Sequence, residues 1–212
     1  FGPKGSKARL EHLIKALSIT LSYKLIVHEL APKEMAIVDE GNGYKILAMP
    51  VKHSIPTLAY AFQENTRYKI DKGFVRKYNL QSNPIFDKLH EGKDIVYNGK
   101  KFRLKDVTTE VKGKRVAIVV DSEQIPAITE LAKEADLFIC EGTFSNKLKE
   151  KTKEYGHMTV KQAARLAKKA RAKKLVLTHF SQRYKDVSEL LKEAKSVFKD
   201  VVMAKDFMEI SI

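Results

Sequence analysis

The spacing of apolar positions changes several times along the chain. Leu10, Leu13, Ile14 and Leu17 recur at helical intervals, which predicts an amphipathic surface helix from Ser6 or Lys7 to Leu17. Extended runs follow: YKLIVHEL, EMAIVDEGNGYKILAMPVKH with a Gly-Asn-Gly turn between its halves, and PTLAYAFQEN. These predict three or four antiparallel strands. From Arg67 to about Leu104 the apolar residues scatter among Lys and Arg, with Gly73, Asn83-Pro84 and Gly92 as breakers. This texture suits an arm or insertion, and it closes on DIVYNGKKFRL, where Asn98-Gly99 predicts a type I′ hairpin. Beyond Gly113 the chain alternates: strand RVAIVVD, helix QIPAITELAKEA, strand LFICE, helix TVKQAARLAKKARA, strand KLVLTH, helix VSELLKEAKSVF, strand VVMAKDFMEISI. Strand–helix–strand alternation of this length implies a sheet covered by helices, an α/β or layered α+β fold.

Four of the predicted strands end on a group able to hold a proton or a metal: His53, Asp121, Glu141 and His179. In layered α/β proteins the carboxyl ends of neighbouring strands share one rim of the sheet, where ligands bind. Imidazoles and carboxylates together suit zinc or manganese and need no thiolate. Each residue alone has a plainer reading, a structural histidine or a turn aspartate; the four together argue for a site. His157 precedes Thr159, a predicted N-cap. It reads either as a loop histidine or as a proton donor whose second nitrogen is held by Glu141. Arg183 follows His179 by four residues and reads as a surface arginine or as a fork for a phosphate. His12, His28 and His90 have no such partners.

With 212 residues, 43% of them hydrophobic, the chain can bury the core of one compact domain with an appendage. Forty Lys and Arg against 26 Asp and Glu give a net charge of +14. That field makes nucleic acid the leading partner class, although lysine-rich solvated faces of basic or heat-adapted proteins carry the same charge. Within the arm, Arg67, Lys69, Lys72, Arg76, Lys77 and Lys88 interleave with Tyr68, Phe74, Tyr78 and Phe86. Such a mixture suits RNA, by phosphate contact and base stacking, or a helical hairpin that packs its aromatics on its own body. Lys161 to Lys174 holds seven Lys or Arg and no acid, which serves either the helix dipole or RNA. The single Cys140 permits no intramolecular disulfide and is read as a small buried hydrophobe. The chain has no apolar run of membrane-spanning length and no signal-peptide pattern, so a soluble, cytoplasmic protein with no membrane partner is expected.

Taken in order, Gly2-Pro3-Lys4-Gly5, PVKH, the basic arm, VVDS, CEGTF, HMTVKQAA and LTHFSQRY resemble the transfer RNA 3′ endonucleases of the RNase Z type, over nearly the whole chain. The resemblance implies a metallo-β-lactamase fold, an αββα sandwich, with residues 1–66 and 94–212 as its core and 67–93 as a protruding arm. It implies two zinc ions (Zn2+) per subunit, with Mn2+ as a substitute: His53 a ligand of one, His179 of the other, and Asp121 bridging them. His157 becomes the histidine that donates a proton or contacts the phosphate, Glu141 its orienting partner, and Arg183 a neighbour of the substrate phosphate. A zinc-acidified water would attack the phosphodiester and release the 3′ trailer of precursor transfer RNA. Arg67, Lys69, Lys72, Arg76, Lys77 and Lys88 would grip the RNA, and the subunits would pair as a homodimer. Three departures stand out. The family's His-x-His-x-Asp-His run is not in this sequence and is expected upstream of Gly2; Val120-Asp121-Ser122 replaces Gly-Asp-Thr; Asn83-Pro84 replaces a Gly-Pro turn. A half that binds transfer RNA or dimerises without cutting is a second reading. A metal-dependent hydrolase of a small ester is a third, which explains the ligands and leaves the basic arm unexplained.

Overall fold

Apolar runs build the middle of a seven-stranded sheet. Residues 1–80 and 84–212 are described by the computed structural model. Their strands and helices run β1 (Gly2–Pro3), α1 (Ser6–Ala16), β2 (Glu29–Leu30), β3 (Ala36–Gly41), β4 (Tyr44–Val51) and β5 (Thr57–Glu64). Next come β6 (Arg67–Ile70), α2 (Lys72–Lys77), α3 (Ile85–His90), β7 (Ile95–Tyr97), β8 (Lys100–Phe102), α4 (Leu104–Val107) and β9 (Thr108–Val111). The remainder is β10 (Arg115–Val119), α5 (Ala127–Leu131), β11 (Leu137–Glu141), α6 (Lys151–Tyr155), α7 (Val160–Ala170), β12 (Lys174–Thr178), α8 (Ser188–Lys195) and β13 (Val201–Met203).

Two units divide these elements. The first takes in Phe1–Glu40, Lys45–Gln63 and Arg115–Ile212. Its sheet has the order β13-β12-β11-β10-β5-β4-β3. Strands β10 to β13 are parallel, whereas β5 meets β10 antiparallel. On the face that helices α5, α7 and α8 cover, Ala117, Val119, Phe138, Cys140, Leu175 and Leu177 are almost wholly buried, whereas Ile118 on the other face of β10 is 40% exposed. Helix α7 covers them with a face of Val160, Ala163, Ala164, Leu166, Ala167 and Ala170, all buried; its small side chains let the helix sit close to the sheet. This is the layered α/β fold that the alternation predicts. Cys140 is fully buried, and burial pushes its thiol pKa up, so it stays protonated and packs as a hydrophobe against Met158.

Three elements differ from their sequence expectations. Only Glu29–Leu30 of YKLIVHEL is strand, because the parallel partner β1 offers just two residues. Helix α5 is confined to Ala127–Leu131: Pro126 precedes it, and Glu134 turns left-handed (φ 52°) to donate its N–H to the Ala170 carbonyl. The last strand stops at Met203, short of the left-handed Phe207 (φ 61°).

The second unit comprises Gly41–Tyr44 and Glu64–Lys114. It pairs β6 with β9 and β7 with β8, the latter through Asn98 and Gly99, both at positive φ as a type I′ hairpin requires. Its own core is Phe74, Leu80, Leu89, Ile95, Phe102 and Val107. Phe74, Tyr78 and Phe102 pack ring on ring with centroids 5.0–5.3 Å apart. Phe74 therefore serves this core and offers no face for a base. Arg67, Lys69, Lys72, Arg76, Lys77 and Lys88 are exposed. Asn83, of the expected Asn83-Pro84 turn, lies outside the described residues.

Candidate metal centre

The parallel register brings the ends of β10, β11 and β12 to one rim, with Glu141 opposite Thr178 and His179 one residue further. Asp121 and His179 follow their strands in the left-handed region (φ 54° and 57°), which side chains other than Gly, Asn and Asp enter at a cost of about 1–2 kcal/mol. That turn aims both side chains along the rim instead of into the flanking layers. Their functional atoms meet: Asp121 Oδ1 lies 2.9 Å from His179 Nε2. Ligand atoms of Asp121, His157 and His179 all fall within 4.8 Å of one another.

Glu141 organises this group from beneath. It is fully buried, and its carboxylate accepts from the backbone N–H of Ser122 (2.5 Å) and of Met158 (2.9 Å) and from the Thr143 hydroxyl (2.8 Å). A fourth donor is His157 Nδ1 at 3.1 Å. The Thr143 hydroxyl has one proton, and the carboxylate is its strongest acceptor. Its oxygen is then left to accept from His179 Nδ1, 3.0 Å away. His179 Nε2 thus presents a lone pair, and so does Nε2 of neutral His157. His53 repeats the arrangement, with Nδ1 2.9 Å from the Gly156 carbonyl, which can only accept.

This donor set fits a divalent cation. Asp121 Oδ1 is buried and takes no hydrogen bond from the described residues, although the His179 lone pair faces it at 2.9 Å. Two electron pairs at that distance are relieved by a shared positive charge, and imidazoles held through Nδ1 by a carboxylate or carbonyl are the usual supports of a metal ligand. His157 has a second capacity. Its hydrogen bond to Glu141, helped by the charges of Glu141 and Asp121 and opposed by burial, raises its pKa above the ordinary imidazole value.

The structure brings Asp121, His157, His179 and Glu141 together. His53 stands beside them, its ring 5.0 Å from that of His157, and the Glu123 N–H bonded to the Lys52 carbonyl ties the end of β4 to the Asp121 loop. Arg183 is exposed at the margin; its Nε donates to Ser181 Oγ, and its guanidinium lies 5.3 Å from the Phe144 ring centre. Residues that the sequence pattern did not single out are Thr143, Phe144, Ser181 and Gly156. The first three lie within the runs CEGTF and LTHFSQRY with nothing in their spacing to give them a role, whereas the Gly-His pair at 156–157 carries a local signal. Gly156 ends α6 at φ 71°, and a Cβ there would lie 2.7 Å from His53 Nδ1. Gly156→Ala is expected to lower stability by about 1–2 kcal/mol and to displace His53. Thermal unfolding with and without zinc checks this; an unchanged zinc response would show that His53 had kept its place.

Comparison with known proteins extends these observations. Residues 107–180 match the family described as Beta-lactamase superfamily domain. Curated relatives named Ribonuclease Z include one from Methanosarcina acetivorans, 36% identical over 216 residues, covering 100% of this chain and 70% of that protein. One from Bacillus velezensis is 33% identical over 222 residues with the same coverage of both. Among solved structures, human tRNase Z, short form, superposes with a TM-score of 0.64 at 24% identity, over 99% of this chain and 66% of that one. The metallo-beta-lactamase fold protein YhfI from Bacillus subtilis gives a TM-score of 0.56 at 20% identity over 92% of this chain and 59% of that one.

Proposed function

Since the chain belongs to the ribonuclease Z family, we propose that it serves in a metal-dependent endoribonuclease that removes the 3′ trailer from precursor transfer RNA. The observation that carries this reading is the meeting of Asp121, His157 and His179 over the buried Glu141. His53, Asp121 and His179 would hold divalent metal, zinc or manganese. A cation in that position supplies Lewis acidity toward a phosphate oxygen and lowers the pKa of water toward neutrality.

The chain's own residues do the rest. Asp121 and His179 present their lone pairs side by side and would share a cation. His157, whose proton is held more tightly because Glu141 accepts from its Nδ1, delivers that proton from Nε2 to the leaving oxygen of the phosphodiester. Glu141 keeps the ring from turning and is a positioning residue. Arg183, steadied by Ser181 and Phe144, lies free at the margin to meet a non-bridging phosphate oxygen. Arg67, Lys69, Lys72, Arg76, Lys77 and Lys88, exposed on the second unit, contact the transfer RNA backbone. The subunits act as a homodimer in the cytoplasm. Among the described residues no helix is long and apolar enough to cross a membrane.

The test is trimming of a precursor transfer RNA by the full-length protein. Chelation should stop release of the trailer, and zinc or manganese should restore it. Trimming that persists after exhaustive chelation, or its absence with every divalent metal, overturns the proposal. Deleting residues 67–93 should weaken transfer RNA affinity; a small-ester hydrolase would keep its turnover.

A further inference from the structure

Helix α7 divides cleanly around its axis. Every apolar side chain it carries is buried among the sheet, α5 and α8, and the outward residues are Lys161, Arg165, Lys168 and Lys169. Their spacing of four, three and one places all four on one face, along about 12 Å of helix. None of them makes an ion pair with a described residue, and no acid lies in the helix.

The helix dipole accounts for Lys168 and Lys169, which stand in the last turn. It does not account for Lys161, which sits in the first turn, where a cation is unfavourable. The N-terminal cap is a Thr159–Gln162 capping box, so the position often filled by glutamate is neutral here. The positive stripe therefore runs unbroken to the N-terminus of α7, whose first residue, Val160, is three beyond His157. The outer face has no apolar side chain to anchor a protein interface or to enter a membrane. Free cations in a row, without apolar anchors, suit a phosphodiester backbone.

We propose that the outer face of α7 is a track for the RNA backbone, leading a strand of the substrate to the candidate metal centre. This rests on the endonuclease reading above, and it adds Lys161, Arg165, Lys168 and Lys169 as positioning residues distinct from the basic second unit. Each contact is with phosphate, so the track favours RNA over neutral ligands and is indifferent to base sequence.

The experiment compares the full-length protein with the triple variant Arg165→Gln, Lys168→Gln, Lys169→Gln and with the charge-keeping Arg165→Lys, Lys168→Arg, Lys169→Arg. Binding of precursor transfer RNA and of a generic RNA duplex is measured across a salt series. The glutamine variant should bind at least about tenfold more weakly, and its plot of log affinity against log salt should be shallower by about 2–3. In a trimming assay its KM should rise with kcat retained, and the charge-keeping variant should restore the parental KM. An unchanged salt slope with parental affinity overturns the track, as does a parent that binds neither RNA. A glutamine variant that loses slope on the duplex, in a protein that trims no precursor, keeps the track and removes the endonuclease reading.

Discussion

Replacing Glu141 by alanine is expected to cost about 3–5 kcal/mol of folding stability, the usual range for breaking a buried charged pair from one side. The carboxylate is fully buried and satisfies four donors, two of them backbone N–H groups that have no other partner in reach. Removing it strands the Ser122 and Met158 N–H groups and His157 Nδ1, while the Thr143 hydroxyl can turn to the His179 carbonyl 3.0 Å away; each unsatisfied buried group costs about 1–3 kcal/mol before relaxation. Glu141→Gln should fall between parent and alanine: the amide keeps one accepting oxygen but turns an NH2 toward a donor. Urea unfolding measures both. A loss below about 1 kcal/mol for alanine would mean that water replaces the carboxylate and that Glu141 does not hold the site together. Trimming should fall with stability and also beyond it, since His157 loses the partner that orients it.

His179→Ala is the second large effect, and it falls on activity. The imidazole faces Asp121 Oδ1 at 2.9 Å and is fixed through Thr143. Losing an outer supporting partner of a metal ligand typically costs 10–100-fold, so losing the ligand itself should reduce trimming by at least about 100-fold. Stability should change little, because the side chain is 40% exposed. Metal protection distinguishes a missing ligand from a damaged fold. Zinc should raise the unfolding temperature of the parent and fail to do so for the variant. A variant that trims normally would remove His179 from the centre.

The difference between what the sequence made legible and what it did not follows the range of the interactions. Strand ends are local, because an apolar run that stops at His53, Asp121, Glu141 or His179 announces itself within a few residues. The N-cap at Thr159 and the Asn98-Gly99 hairpin are local too, and both stand where the pattern predicts them. Thr143 escaped notice because its role depends on a ring 36 residues away, that of His179. The aromatics of the arm were ambiguous for a similar reason. Whether Phe74 faces a base or a core depends on Phe102, which is 28 positions away and out of reach of any periodicity. YKLIVHEL has strand composition and lacks a partner of matching length, which composition cannot reveal.

The left-handed backbone at Asp121 and His179 also shapes which mutants will survive selection. Asparagine and glycine occupy that conformation more comfortably than most residues, so Asp121→Asn, Asp121→Gly and His179→Asn should remain folded and well expressed while holding a cation more weakly than the parent. β-Branched replacements at the same positions add backbone strain to the loss of ligand and should be depleted from any library screened for abundance. A survey of variants scored separately for expression and for trimming would therefore find these two positions parting company by residue type, abundant with small or amide side chains and poorly active with all of them.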